Sequence, residues 1–161
     1  RLRTLKDDTL LWLLRHEFPE HQGIGHLLDR LETRKLYKPC YTLTVSVGAE
    51  KQKALEQRFH FSPSERATAE GAIADASGLK PHQVIVYCPS LGMSLPEAEV
   101  PARLDGGKLQ PLSGANNDEI RILKEKHRAL WKFLVLIDRT AWDSNEAVRL
   151  ASEAYFYAGA T

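Results

Sequence analysis

At 161 residues, 43% hydrophobic and 27% charged, the chain has the material for one domain with an apolar core. Its net charge of +1 excludes a global field for nucleic acid or an anionic membrane, so any anion site has to be local. No apolar run is long enough to span a bilayer and no signal peptide is visible.

Two cysteines, Cys40 and Cys88, suit free thiols in a reducing, cytoplasmic compartment better than a disulfide scaffold, with a single bridge left open as a matter of geometry. The chain opens Arg1-Leu2-Arg3 and its only methionine is Met93, which we read as the sign of a segment cut from a longer protein.

In chain order, residues 5–17 read as an amphipathic helix. Asp7 or Asp8 caps it, Leu10, Leu11, Leu13 and Leu14 supply the stripe, and Phe18-Pro19 stops it. Residues 21–36 read as a second helix, with Ile24, Leu27, Leu28 and Leu31 at helical spacing. After Pro39, the alternation Tyr41, Leu43, Val45, Val47 predicts a half-buried strand that Gly48 breaks. A charged helix over 49–60 follows, then one opened by Ser62-Pro63-Ser64-Glu65 and stopped at Gly78.

Gln83–Cys88 has strand composition. Val100–Leu104 and Lys108–Leu112 flank Asp105-Gly106-Gly107 as a hairpin signal. Asn116–Leu130 reads as a basic helix and Phe133–Ile137 as a buried strand. A last helix runs from a cap at Asp143 or Ser144 to about Ala158. The order predicts an α+β fold: a mainly antiparallel sheet with helices on one face. The sheet Val84, Val86, Leu134 and Leu136 are expected to face those helices.

Motifs for chemistry are sparse. His16, His21 and His26 are spaced by five, which turns successive positions by about 140° on an ideal helix, so they do not share a face. No Cys-x-x-Cys, His-Glu-x-x-His, nucleophile elbow or phosphate loop is present, and no histidine is followed by aspartate. We therefore assign no catalytic and no metal-ligating residue. Cys88 reads as a buried small hydrophobe. Arg121, Lys124, Lys126, His127 and Arg128 surround a helix instead of marking one face, the pattern of a solvated helix. One group stands out: Arg30, Arg34 and Lys38 are spaced by four, with Lys35 beside them. On a helix reaching Lys38 they share a flank, where they either complement the helix C-terminus or bind phosphate.

The stretch Asp7-Asp8-Thr9-Leu10, the leucine-rich helix behind it and Leu27-Leu28-Asp29-Arg30-Leu31-Glu32-Thr33-Arg34-Lys35-Leu36-Tyr37-Lys38 resemble the HD-domain deoxynucleoside triphosphate triphosphohydrolases, those akin to the sterile-alpha-motif and HD-domain protein. Gln83–Cys88 and Phe133–Ile137 are similar to strands of their C-terminal lobe. The resemblance implies a parent enzyme that cleaves dNTP to deoxynucleoside and triphosphate, using a divalent metal on a His…His-Asp…Asp set. That set is not in this chain, so no cofactor is expected here and the metal belongs to the HD domain.

The resemblance further implies that residues 1–38 end a helical HD domain and that 39–161 form a C-terminal α+β lobe. The lobe's expected role is homo-oligomerisation. In nucleotide-regulated relatives the pattern Arg-x-Leu-aromatic-Lys meets an activating nucleotide, which by position falls on Arg34 and Lys38. The expected partners are thus another copy of the chain and a nucleotide effector, with no membrane and no nucleic acid. The competing reading is a stand-alone α+β module for a protein or RNA partner, although the strands lack the basic and aromatic interleaving of an RNA-binding sheet.

Overall fold

The computed structural model describes residues 6–92, 101–103, 109–111 and 118–158. Among the described residues six α-helices are seen, α1 (Asp7–Glu17), α2 (Gln22–Glu32), α3 (Ala49–Leu55), α4 (Pro63–Ala76), α5 (Asp118–Ala129) and α6 (Asn145–Ala158). The strands are β1 (Lys38–Thr44), β2 (Val84–Tyr87), β3 (Pro101–Arg103), β4 (Leu109–Pro111) and β5 (Lys132–Ile137). The fold is α+β, as the order of elements predicts. β1, β5 and β2 form an antiparallel sheet in that order. β3 and β4 pair antiparallel, with Ala102 opposite Gln110. The turn expected at Asp105-Gly106-Gly107 lies outside the described residues.

The chain divides into two compact units. One gathers the residues up to Tyr41, Arg66–Val86 and those from Val135 onward; the other gathers Thr42–Glu65 and Tyr87–Leu134. In the first unit the core is Leu28, Tyr41, Ala69, Ile73, Ala74, Val84, Val86, Val135, Ile137, Val148 and Phe156. Small residues on α4 let it lie close: Ala69 and Ala74 are fully buried. Glu70, on the same helix, accepts a hydrogen bond from the Val86 N–H at 2.9 Å, satisfying a backbone donor of β2. Burial pushes the Glu70 carboxyl up, and that bond opposes the shift. In the second unit Leu43, Leu55, Phe59, Cys88, Trp131 and Phe133 are buried. There Phe59 meets Phe133 edge-on with ring centroids 5.6 Å apart. The Glu56 carboxylate accepts from the Ser90 hydroxyl at 2.9 Å and the Leu91 N–H at 2.6 Å.

Three sequence expectations change. First, α2 ends at Glu32, not near Lys38. The Thr33 hydroxyl donates to the Asp29 carbonyl at 2.6 Å, and Arg34 turns into the left-handed region at φ 53°, a helix-ending conformation. Second, the first strand runs Lys38–Thr44, and Val45–Val47 coil into a short 3₁₀ turn. The Thr44 hydroxyl accepts from the Ser46 N–H and caps that turn. Third, the buried face of β5 carries Phe133, Val135 and Ile137, so Leu134 and Leu136 belong to the other face. Val84 and Val86 are buried as expected. Gly78, at φ 67°, ends α4 in the manner expected of glycine, with the Leu79 N–H reaching back to the Ala74 carbonyl at 2.8 Å.

Candidate functional site

Within the first unit, the apolar run of β5 is followed directly by Asp138, which is fully buried. An ionised carboxylate in such a place costs several kcal/mol unless its oxygens are satisfied. Asp138 caps the 3₁₀ turn Arg139–Ser144. Its Oδ1 accepts from the Thr140 N–H at 2.8 Å and from the Thr140 hydroxyl at 2.9 Å. Its Oδ2 accepts from His26 Nε2, and Arg30 Nε forms an ion pair with the same oxygen at 3.2 Å while its N–H is directed at His26 Nε2 at 3.5 Å. Arg30 Nη2 also donates to the Thr140 hydroxyl at 3.2 Å. His26 and Arg30 are four apart on α2, hence one above the other on one helix face.

The backbone of Asp138 joins the same set, its N–H donating to the Gln83 carbonyl at 2.9 Å. His82 lies next to Gln83, and its ring centroid is 4.6 Å from that of His26. The Tyr37 hydroxyl donates to the His82 carbonyl. One carboxylate therefore gathers segments from α2, from the turn before β2 and from the end of β5.

The electrostatics follow from that geometry. Burial pushes the Asp138 carboxyl up, but the Thr140 N–H and hydroxyl, His26 and the Arg30 charge outweigh burial and hold it below the usual carboxylate range. Burial lowers the affinity of His82 for a proton, and the neighbouring His26 and Lys80 add to that; Asp138 works against it. Burial and the nearby Asp138 charge push the Tyr37 phenol up to about 12.

Neither Asp138 nor His82 stands out in the sequence, and spacing by five sets His26 beside His16 and His21, which do not join this cluster. Spacing by four sets Arg30 beside Arg34 and Lys38, yet its guanidinium belongs to the Asp138 cluster. The legible signals were the spacing of His26 and Arg30 and the Asp-x-Thr step after an apolar strand, which favours a local side-chain turn.

Arg34 and Lys38 are placed differently from a helix flank. Arg34 stands beyond α2 in its left-handed conformation, exposed, and forms no ion pair with any described residue. Lys38 opens β1, and its Nζ lies 5.3 Å from the centre of the Trp142 ring, a cation–π contact. By contrast Arg15 is engaged with Asp29 and Glu32, and Arg149 with Glu146 and Glu153.

Among the described residues, no three His, Cys, Asp or Glu side chains converge to hold a metal ion. His26 Nε2 and both Asp138 oxygens are already committed to one another and to Thr140 and Arg30, so this cluster does not fit the divalent ion of an HD enzyme. Neither cysteine forms a disulfide, and burial pushes the Cys40 thiol up to about 11, away from thiolate chemistry. No helix among the described residues is long and apolar enough to cross a membrane.

What the geometry defines is an α+β region whose buried charges are turned on its own fold, with a pair of cations left at its surface. The chain matches the family model described as HD associated region over residues 1–157. It belongs to that family, which links it to HD-domain proteins. No curated protein and no solved structure matches it.

Proposed function

We propose that this chain is the accessory C-terminal region of a metal-dependent HD-domain phosphohydrolase of the dNTP triphosphohydrolase type. In this reading it helps hold subunits together and presents Arg34 and Lys38 to the phosphates of a nucleotide effector. Catalysis and the divalent metal belong to the HD domain. The region's own part is electrostatic: a guanidinium and an ammonium, one planar and forked and the other a mobile point charge, suit a polyphosphate.

One observation carries the reading. Arg34 occupies a left-handed backbone position, where glycine is the low-energy choice and a residue with a Cβ costs about 1–2 kcal/mol. An arginine kept there, exposed and without an ion pair among the described residues, has its head group free for an external anion. Strain of this kind points from the outlier to a function.

The experiment uses the HD-domain parent. Arg34→Gly and the pair Arg34→Glu with Lys38→Glu are compared with wild type for activity against effector concentration, with bound metal measured in each. The expected result is that both variants keep their metal, that Arg34→Gly needs more effector, and that the double reversal responds least. Superimposable activation curves for all three proteins would mean that these cations only decorate the end of α2.

A further inference from the structure

We infer that the cluster around Asp138 is an acid-sensitive latch on α2, closed by His26 and Arg30 and opened when His82 takes up a proton. α2 is held to Asp138 through two side chains one turn apart, and both meet the same oxygen, Oδ2. The short 3₁₀ turn Pro81–Gln83 lies against the same helix. A Cβ placed on Gly23 would stand 3.7 Å from the His82 Cβ, and the His82 ring is tilted against that of His26 at 4.6 Å. Any charge that appears on His82 therefore appears at the face by which α2 is held.

The groups facing His82 decide the sign. α2 contributes the His26 ring, and Lys80 stands two residues before His82 in the chain. The end of β5 contributes Asp138, while the Tyr37 hydroxyl engages the His82 carbonyl. His82 is half-buried under α2, against Gly23 and the His26 ring, so a proton on it places a charge where water is scarce, and release of α2 exposes that charge to solvent. Asp138 attracts that proton, so a charged His82 also competes for the carboxylate that His26 and Arg30 now share. Either effect favours α2 leaving its seat.

The pH window follows by linkage. With the latch closed, burial together with His26 and Lys80 holds His82 below its ordinary value of 6.5. With α2 released, His82 returns toward that value. The contribution of His82 to closure is thus fully present above the ordinary histidine range. It weakens as the pH falls through that range, until the closed-state value is reached. Asp138, held below the usual carboxylate range, stays ionised throughout this window, so the latch opens with its carboxylate still charged.

The test is amide hydrogen exchange on the full chain, corrected for the intrinsic pH dependence of exchange. It follows α2 against residues 66–76 of α4 in the same unit, from pH 7.5 to about 5.5, the region where unperturbed histidine charges. In wild type, α2 should lose protection severalfold relative to α4 on acidification. In His82→Gln, which is neutral at every pH, the ratio should stay level. Asp138→Asn should leave α2 poorly protected at both ends of the range; where that variant fails to fold, the His82→Gln comparison decides. Equal acid loss in wild type and His82→Gln, or no loss confined to α2 in wild type, would overturn the latch.

Discussion

Asp138 is the residue on which the first unit turns, and its worth is measurable. Breaking a buried, fully satisfied ion pair by removing one partner costs about 3–5 kcal/mol. Asp138→Asn keeps the shape but replaces an acceptor oxygen with an amide that faces Arg30 or His26 donors. We expect a loss of about 3 kcal/mol in urea unfolding at neutral pH. The pH dependence carries a second signature. A carboxyl whose folded pKa is depressed contributes stability that is present above its unfolded value and is lost as the pH falls through its folded value. Wild type should therefore show an acid limb below the usual Asp range that is shallower in Asp138→Asn. Parallel acid limbs with equal midpoints would make the cluster a bystander.

Arg34 predicts the opposite sign. Arg34→Gly relieves a left-handed backbone and should raise stability by about 1 kcal/mol, read from the thermal midpoint. A destabilised glycine variant would show that the arginine side chain supports the fold, removing the ground for an external ligand.

At the scale of elements, most of the fold was legible because amphipathic spacing and turn residues agreed. α1, α3, α4, α5, α6 and the β3–β4 pair fall close to where periodicity places them, although Lys6, not Asp7 or Asp8, stands at the N-cap of α1 and no side chain caps it, the two aspartates lying inside the first turn. The failures share a cause: the sequence pattern continued where the backbone changed. Leu36 kept the helical spacing of α2 going, but the Thr33 hydroxyl bond and the left-handed Arg34 ended the helix at Glu32. Val45 and Val47 kept the alternation of β1 going, but the Thr44 cap coiled them.

In β5 the run Phe133-Leu134-Val135-Leu136-Ile137 is apolar throughout, so alternation cannot assign its faces. The flanking Lys132, exposed and in phase with Leu134 and Leu136, was the available cue. A substitution pair checks the corrected phase. Val135→Asp and Val86→Asp place an uncompensated charge at positions that are 0% and 2% exposed, and should abolish cooperative unfolding by near-UV circular dichroism. Leu134→Asp, on the other face, should leave a folded chain with a lowered midpoint. Loss of folding in Leu134→Asp together with a folded Val135→Asp would restore the original phase.

The candidate site was less legible than the fold, for a reason that belongs to the whole molecule. Residues 26, 30, 82, 138 and 140 come from three distant stretches of chain, and local spacing betrays only the pair His26 and Arg30 and the Asp138-x-Thr140 step. The basic turn at Arg34 and Lys38 was legible as a composition, although its geometry is that of a helix exit. Function at this scale divides between what the region does alone and what it does in a parent enzyme. Alone, with no metal-ligand set among the described residues to activate water, it should release no triphosphate from any dNTP with manganese, magnesium, cobalt or zinc. Metal-dependent release that persists through repurification would place a catalytic site in this chain and overturn the division of labour proposed above.

Subunit contact is the remaining part of that proposal, and α1 is the element to test. Its helix buries no residue, and Trp12 is 61% exposed. The Arg15 pairs with Asp29 and Glu32 tie it to α2, but these are solvent-exposed ion pairs that salt screens and that contribute little. On α2, Leu27 and Leu31 are exposed as well. Exposed apolar side chains repeated on neighbouring helices favour association, because covering them removes water-facing area at about 25 cal/mol per Å². The prediction is concentration-dependent self-association in sedimentation equilibrium, weakened in Trp12→Glu with Leu31→Glu, whose side chains are solvent-facing and whose replacement should leave the far-UV spectrum unchanged. High salt separates the causes: it screens the Arg15 pairs and strengthens apolar contact, so association should persist or tighten. A clean monomer at high concentration, or association that dissolves in salt, would move the subunit contact away from this face.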